Sequence, residues 1–85
     1  MRILIINPNT TASMTEAIGE AARKAASAGT SIVAVNPEQG PASIQGAEDG
    51  EAALPGLFAV HERYLGGETP FDAVVIACFD DTGLD

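Results

Sequence analysis

An unbroken apolar run, Ile3-Leu4-Ile5-Ile6, follows Arg2 at the start of the chain. A strand with one solvated face alternates polar and apolar residues, whereas a strand covered on both faces of a parallel sheet does not, so residues 2–6 read as a buried first strand. Asn7-Pro8-Asn9-Thr10-Thr11 is turn chemistry. Ser13 with Glu16 three positions later matches a capping box and predicts a helix beginning near Ser13. Met14, Ala17, Ile18, Ala21, Ala22 and Ala25 then fall on one helical stripe, whose small alanines imply close packing on a sheet, and Gly29 is the expected C-cap.

Thr30 to Val35 is a second β-branched run, closed by Asn36-Pro37 because a residue before proline is pushed out of the helical region. Glu38 to Gly50 carries Gly40, Gly46, Gly50 and Pro41, and is longer than an ordinary α/β connection; such loops often carry function. A second helix is predicted from about Asp49 to Leu65, with Pro55 in its first turn or kinking it and Gly66-Gly67 ending it. On it Leu54, Leu57, Phe58, His61 and Leu65 share a face, which makes His61 a partly buried packing residue. Phe71 to Cys78 is a third buried strand, and Phe79 to Asp85 reads as a loop about to open a third helix.

Strand, helix, strand, helix, strand is the order of the doubly wound α/β class, three layers with a parallel sheet and right-handed crossovers. Two helices cannot cover both faces of three apolar strands, so residues 1–85 are expected to form an incomplete N-terminal lobe with bare sheet edges, prone to association.

Composition narrows the function. Twelve acidic against four basic residues give a formal net charge of −8, which repels nucleic acid and anionic membrane surfaces. The N-terminal apolar run is too short for a signal peptide, and no stretch approaches the ~20 apolar residues of a membrane span. With Cys78 as the sole cysteine no internal disulfide is available, which reads as a reducing, cytoplasmic setting. Neither a nucleotide-binding glycine motif nor a cluster with metal-ligand spacing is present, so no nucleotide cofactor and no metal are indicated. Glu48, Asp49 and Glu51 read as a solvated helix N-terminus.

In open α/β sheets the ligand crevice lies beyond the carboxyl ends of the strands, where strand order reverses. In a 2-1-3 order the segment from Asn7 to Thr11 and the segment from Cys78 to Gly83 meet there, with Asn36 to Gly50 beside them. A thiol at a strand end that opens toward a helix N-terminus suits a base or nucleophile, while the plain alternative is a small buried hydrophobe, and Asp80 and Asp81 disfavour a thiolate unless they point away. Asn7, Asn9, Thr10 and Thr11 form either an anion or oxyanion cradle or an ordinary turn with caps.

Three segments in order resemble one family: Ile5-Ile6-Asn7-Pro8-Asn9-Thr10 with Ser13-Met14-Thr15; Gly40-Pro41-Ala42-Ser43-Ile44 with Pro55-Gly56-Leu57; and Ile76-Ala77-Cys78-Phe79-Asp80-Asp81 with Gly83-Leu84-Asp85. Together they look like the hydantoin racemases of the aspartate/glutamate racemase superfamily, with allantoin racemases as the near branch. The resemblance implies a flavodoxin-like racemase lobe, a small hydantoin-like substrate, no cofactor, a homo-oligomeric full-length enzyme, and racemisation by two cysteines on opposite faces of the substrate. Cys78 matches the first cysteine; Asn7, Asn9, Ser43, Ile44, Phe79 and Asp80 match substrate-contacting positions. Gln45 stands where many relatives carry an acid, which bears on substrate preference. The acids after Cys78 argue against aspartate or glutamate as substrate, since they would repel a second carboxylate. No second cysteine is present, so the 85-residue chain alone is expected not to racemise. The competing expectation is a non-catalytic module that binds a small ligand or protein in the same crevice.

Overall fold

The computed structural model describes residues 1–67 and 70–78. Its elements are β1 (Arg2–Ile6), α1 (Ala12–Ala25), β2 (Ser31–Val35), α2 (Ala47–Leu65) and β3 (Ala73–Ile76). The strands form one parallel sheet in the order β2-β1-β3. β1 is central, with Leu4 opposite both Val33 and Val74, and Ile6 opposite both Val35 and Ile76. This is the expected doubly wound α/β arrangement, and it explains the first strand's unbroken apolar run: both faces of β1 are covered, and Leu4, Ile5 and Ile6 are buried. The third strand departs from expectation: it is shorter than residues 71–78 and not buried, with Ala73, Val74 and Val75 exposed because it lies at the sheet edge beyond the cover of α1.

Pleating sends alternate residues to opposite faces. Leu4 and Ile6 meet Leu57 of α2 in the core, joined at its margin by Val33, Val35, Leu54, Val60, Tyr64, Phe71 and Ile76. Ala53 and Leu57 are buried and Val60 and Tyr64 half-buried, while Phe58 and Leu65 are exposed. The packed stripe of α2 is therefore Ala53-Leu57-Val60-Tyr64, rotated from the expected face; His61 is half-buried beside it. Pro55 lies inside the helix, and Gly66 caps it. At Gly56 a Cβ would stand 2.7 Å from the Gln39 carbonyl and 2.9 Å from Pro37 Cβ. Absence of a side chain there lets the loop after β2 lie directly on α2.

On the opposite face α1 packs against β2, and three expectations for it change. Its buried residues are Thr15 and Gly19, with Ile18 and Ala22 half-buried, while Met14, Ala17, Ala21 and Ala25 are exposed. Closest approach is made by glycine: a Cβ at Gly19 would stand 3.1 Å from Ala34 Cβ, so the helix rolls until its smallest residue faces the strand. The helix begins at Ala12 with Thr11 as N-cap, so Ser13 and Glu16 lie within it and form no capping box. Thr11 makes no side-chain cap, its hydroxyl donating instead to the Ala42 carbonyl at 2.7 Å. At the far end the C-cap is Ala26 in extended backbone; Gly29, at φ 86°, sits in the turn where the Thr30 amide donates to Ser27.

Candidate functional site

Both central connections begin with the same dipeptide. Asn7-Pro8 follows β1 and Asn36-Pro37 follows β2, and because Ile6 pairs with Val35 the two asparagines are neighbours across the sheet. The Asn7 amide extends the ladder by donating to the Val35 carbonyl at 2.9 Å, and the Ala77 amide does the same to Ile6 at 2.9 Å on the other side. Beyond Ala77 the Cys78 amide turns back onto the Ile76 carbonyl at 3.0 Å, which sets half-buried Cys78 at the rim. The long loop after β2 is clamped onto the loop after β1 by Thr10 N–H donating to Pro41 at 3.0 Å and by the Thr11 hydroxyl on Ala42. That clamp brings Ser43 and Ile44 over the sheet end.

A cleft of about 670 Å³ results, walled by Asn7 and Asn9 from the first loop, Ser43 and Ile44 from the second, and Cys78 from the third. Met14 and Ile18 of α1 supply its apolar side. Five of the seven sequence-derived site residues are thus drawn into one space; Phe79 and Asp80, and the loop expected to open a third helix, lie outside the described residues. A larger hollow of about 760 Å³ between the loop after β2 and α2 contains neither the thiol nor the carboxamides of the first loop.

Inside the cleft the asparagines divide their work. Asn7 is 2% exposed and spends both amide hydrogens internally, on Asn9 Oδ1 at 2.9 Å and on Thr15 Oγ1 at 3.2 Å. Asn9 Oδ1 also accepts the Thr11 backbone N–H at 2.9 Å, while the Asn9 amide nitrogen faces the Met14 thioether at 3.6 Å. Sulfur is a weak acceptor, so this NH2 is the cleft's polar donor. Thr15 donates to Asn36 Oδ1 at 2.7 Å. Ser43 Oγ accepts from Gln45 Nε2 at 3.2 Å at the exposed rim of the cleft. Thr15 and Asn36 had not been singled out from sequence for this site, although the repeated Asn-Pro at adjacent strand ends was a legible signal.

Among the described residues no group of three or more His, Cys, Asp or Glu comes together as a metal site, and no helix is long and apolar enough to cross a membrane. A parallel α/β sheet with a cleft at its topological switch point places the chain in the doubly wound α/β class. The family follows from comparison: residues 3–85 match the model of the Asp/Glu/hydantoin racemases, and the chain belongs to that family. It is 48% identical over 85 residues to a hydantoin racemase of Paenarthrobacter aurescens and 49% identical over 84 residues to one of Pseudomonas sp. (strain NS671), covering 100% and 99% of this chain. It spans only 36% and 33% of those proteins. Among solved structures, allantoin racemase from Klebsiella pneumoniae superposes with a TM-score of 0.85 at 45% identity over 99% of this chain and 34% of that one. Allantoin racemase from Pseudomonas fluorescens does so with a TM-score of 0.75 at 47% identity, covering 91% and 32%.

Proposed function

We propose that these 85 residues form one wall of the active site of a cofactor-independent racemase acting on 5-monosubstituted hydantoins, with allantoin, itself a 5-ureidohydantoin, in the same substrate class. The observation that carries the reading is the convergence of the Cys78 thiol with the Asn9 amide donor in one cleft at the switch point. In such a ring the stereogenic C5 is flanked by a carbonyl and a ring nitrogen. Cys78 as thiolate takes the C5 proton and becomes a thiol, and the electron pair passes into the adjacent carbonyl as an enolate. A proton then returns to C5 on the opposite face from a second thiol, which is left as thiolate. The Asn9 NH2 donates to the ring oxygen where charge develops, and Ser43 hydrogen-bonds at the rim; carbonyl conjugation makes a separate electron sink unnecessary.

The second thiol belongs to sequence outside these residues, so the chain serves as an N-terminal lobe of a longer, homo-oligomeric enzyme in a reducing cytoplasm. On its own it abstracts from one face only, and a resolved 5-methylhydantoin keeps its optical rotation in its presence at the rate of a Cys78→Ala control. Alkylation of Cys78 by iodoacetamide at neutral pH is slowed by saturating 5-methylhydantoin. Faster loss of rotation than in the control would refute the one-base assignment, and alkylation indifferent to hydantoin would favour a non-catalytic module.

A further inference from the structure

The hydrogen bonds behind the cleft have a direction that can be fixed from both ends. At one end the Thr11 backbone N–H, which can only donate, contacts Asn9 Oδ1 at 2.9 Å and so identifies that atom as the oxygen. The atom of Asn7 that meets it at 2.9 Å must then be nitrogen. Its second hydrogen goes to Thr15 Oγ1 at 3.2 Å, so the Thr15 proton points elsewhere, to Asn36 Oδ1 at 2.7 Å in preference to the Thr11 carbonyl at 3.5 Å. At the other end Asn36 Nδ2 donates at 2.9 Å to the Pro37 carbonyl, which can only accept. Two backbone groups on two different loops therefore polarise the whole chain, and Thr15, buried in α1, is the link between them.

We propose that Thr15 and Asn36 are positioning residues that hold the Asn9 carboxamide with its oxygen inward and its NH2 toward the cleft, so that the site selects an acceptor oxygen on its ligand. Identification of that oxygen with a hydantoin carbonyl rests on the racemase reading; the polarity of the network does not. Asn9 is 7% exposed and its oxygen already accepts twice, so it cannot flip without setting its NH2 against two donors. Thr15→Val removes the hydroxyl at nearly constant shape and leaves an Asn7 hydrogen and Asn36 Oδ1 unsatisfied, whereas Thr15→Ser retains the link.

The test uses the 15N-labelled 85-residue chain, with 5-methylhydantoin as probe and side-chain amide resonances as readout. In the wild type and Thr15→Ser, the Asn7 amide hydrogens exchange slowly with water and the Asn9 NH2 resonance shifts on adding the probe. In Thr15→Val the Asn7 protection falls, the Asn9 resonance moves in the free chain, and affinity for the probe drops about tenfold, the loss expected from a mispositioned buried hydrogen bond. Because the effect passes through Asn9, Thr15→Val should cost less than about twofold in an Asn9→Ala background. If Thr15→Val unfolds, Asn36→Ala releases the Thr15 hydroxyl to the Thr11 carbonyl 3.5 Å away and is expected to move the Asn9 resonance in the same direction by a smaller amount. The proposal is overturned if the folded variants leave the Asn9 resonance in place, or if the affinity loss persists undiminished without Asn9. A wild-type chain that ignores 5-methylhydantoin while its Asn9 resonance still depends on Thr15 supports the positioning role and removes the hydantoin reading instead.

Discussion

Asn7 and Asn9 lie two residues apart and line the same cleft, yet burial gives them different work: Asn7 donates both hydrogens to protein, and Asn9 keeps its donor for the cleft. Replacing the Asn7 NH2 with oxygen in Asn7→Asp sets an acceptor against Asn9 Oδ1, 2.9 Å away, and puts a carboxylate at a position only 2% exposed. Urea unfolding at neutral pH should show a loss of roughly 2–4 kcal/mol, combining a broken buried bond with an unpaired charge. From sequence the two could not be told apart, because an Asn-Pro-Asn turn names its polar groups without saying which are consumed by neighbours. Thr15 was hidden for a related reason. A polar β-branched residue in a helix reads as surface, and only the roll of α1 that puts Gly19 on Ala34 carries Thr15 inward.

Among the elements, strand identity was readable from the apolar, β-branched runs; β1, the doubly covered strand, coincides with its predicted bounds and takes the central place of a 2-1-3 order. The third strand, expected to be buried over residues 71–78, is instead Ala73–Ile76 with Ala73, Val74 and Val75 exposed, because an apolar run does not say whether a helix covers it. Helix faces were less so. Alanine is at home both on a packed stripe and in solvent, so the run from Ala17 to Ala25 did not specify which side of α1 meets the sheet, and glycine, which hydropathy discounts, decided it. Gly56 makes the same point on α2. Helix propensity alone predicts that Gly56→Ala gains about 1 kcal/mol. The Gln39 carbonyl at 2.7 Å from the new methyl predicts a net loss of roughly 1–3 kcal/mol, measured by denaturant unfolding, with the loop after β2 displaced. A stabilised variant would show that this loop yields readily.

Over the whole molecule, the two faces of the sheet are unequally covered. α2 closes one across Leu4, Ile6 and Val35, while α1 sits over β2 and leaves Val75 of β3 at 45% exposure on the other. β3 is an edge strand among the described residues, and Val74 is also exposed. Such an edge invites pairing with another chain. Val75→Lys should shift the chain toward monomer in sedimentation velocity without lowering its unfolding midpoint, whereas Leu57→Ala, which empties the shared core, should cost roughly 2–5 kcal/mol. The uneven cover was foreseeable from counting helices against strands. What could not be foreseen is that the polar wiring of the cleft runs through the well-covered side of β1, toward β2, and leaves the thiol on the open side, next to β3.

The two Asn-Pro pairs have a consequence for how the protein ages. An asparagine side chain is ordinarily lost through attack by the nitrogen of the following residue, which must shed a hydrogen to close the imide ring. Proline has no such hydrogen. Asn7 and Asn36, two of the three carboxamides in the network, are each followed by proline, so this route to deamidation is closed at both. Asn9, followed by Thr10, is the one member of the set without that chemical protection, and deamidation there would replace the NH2 that faces the cleft with a carboxylate oxygen.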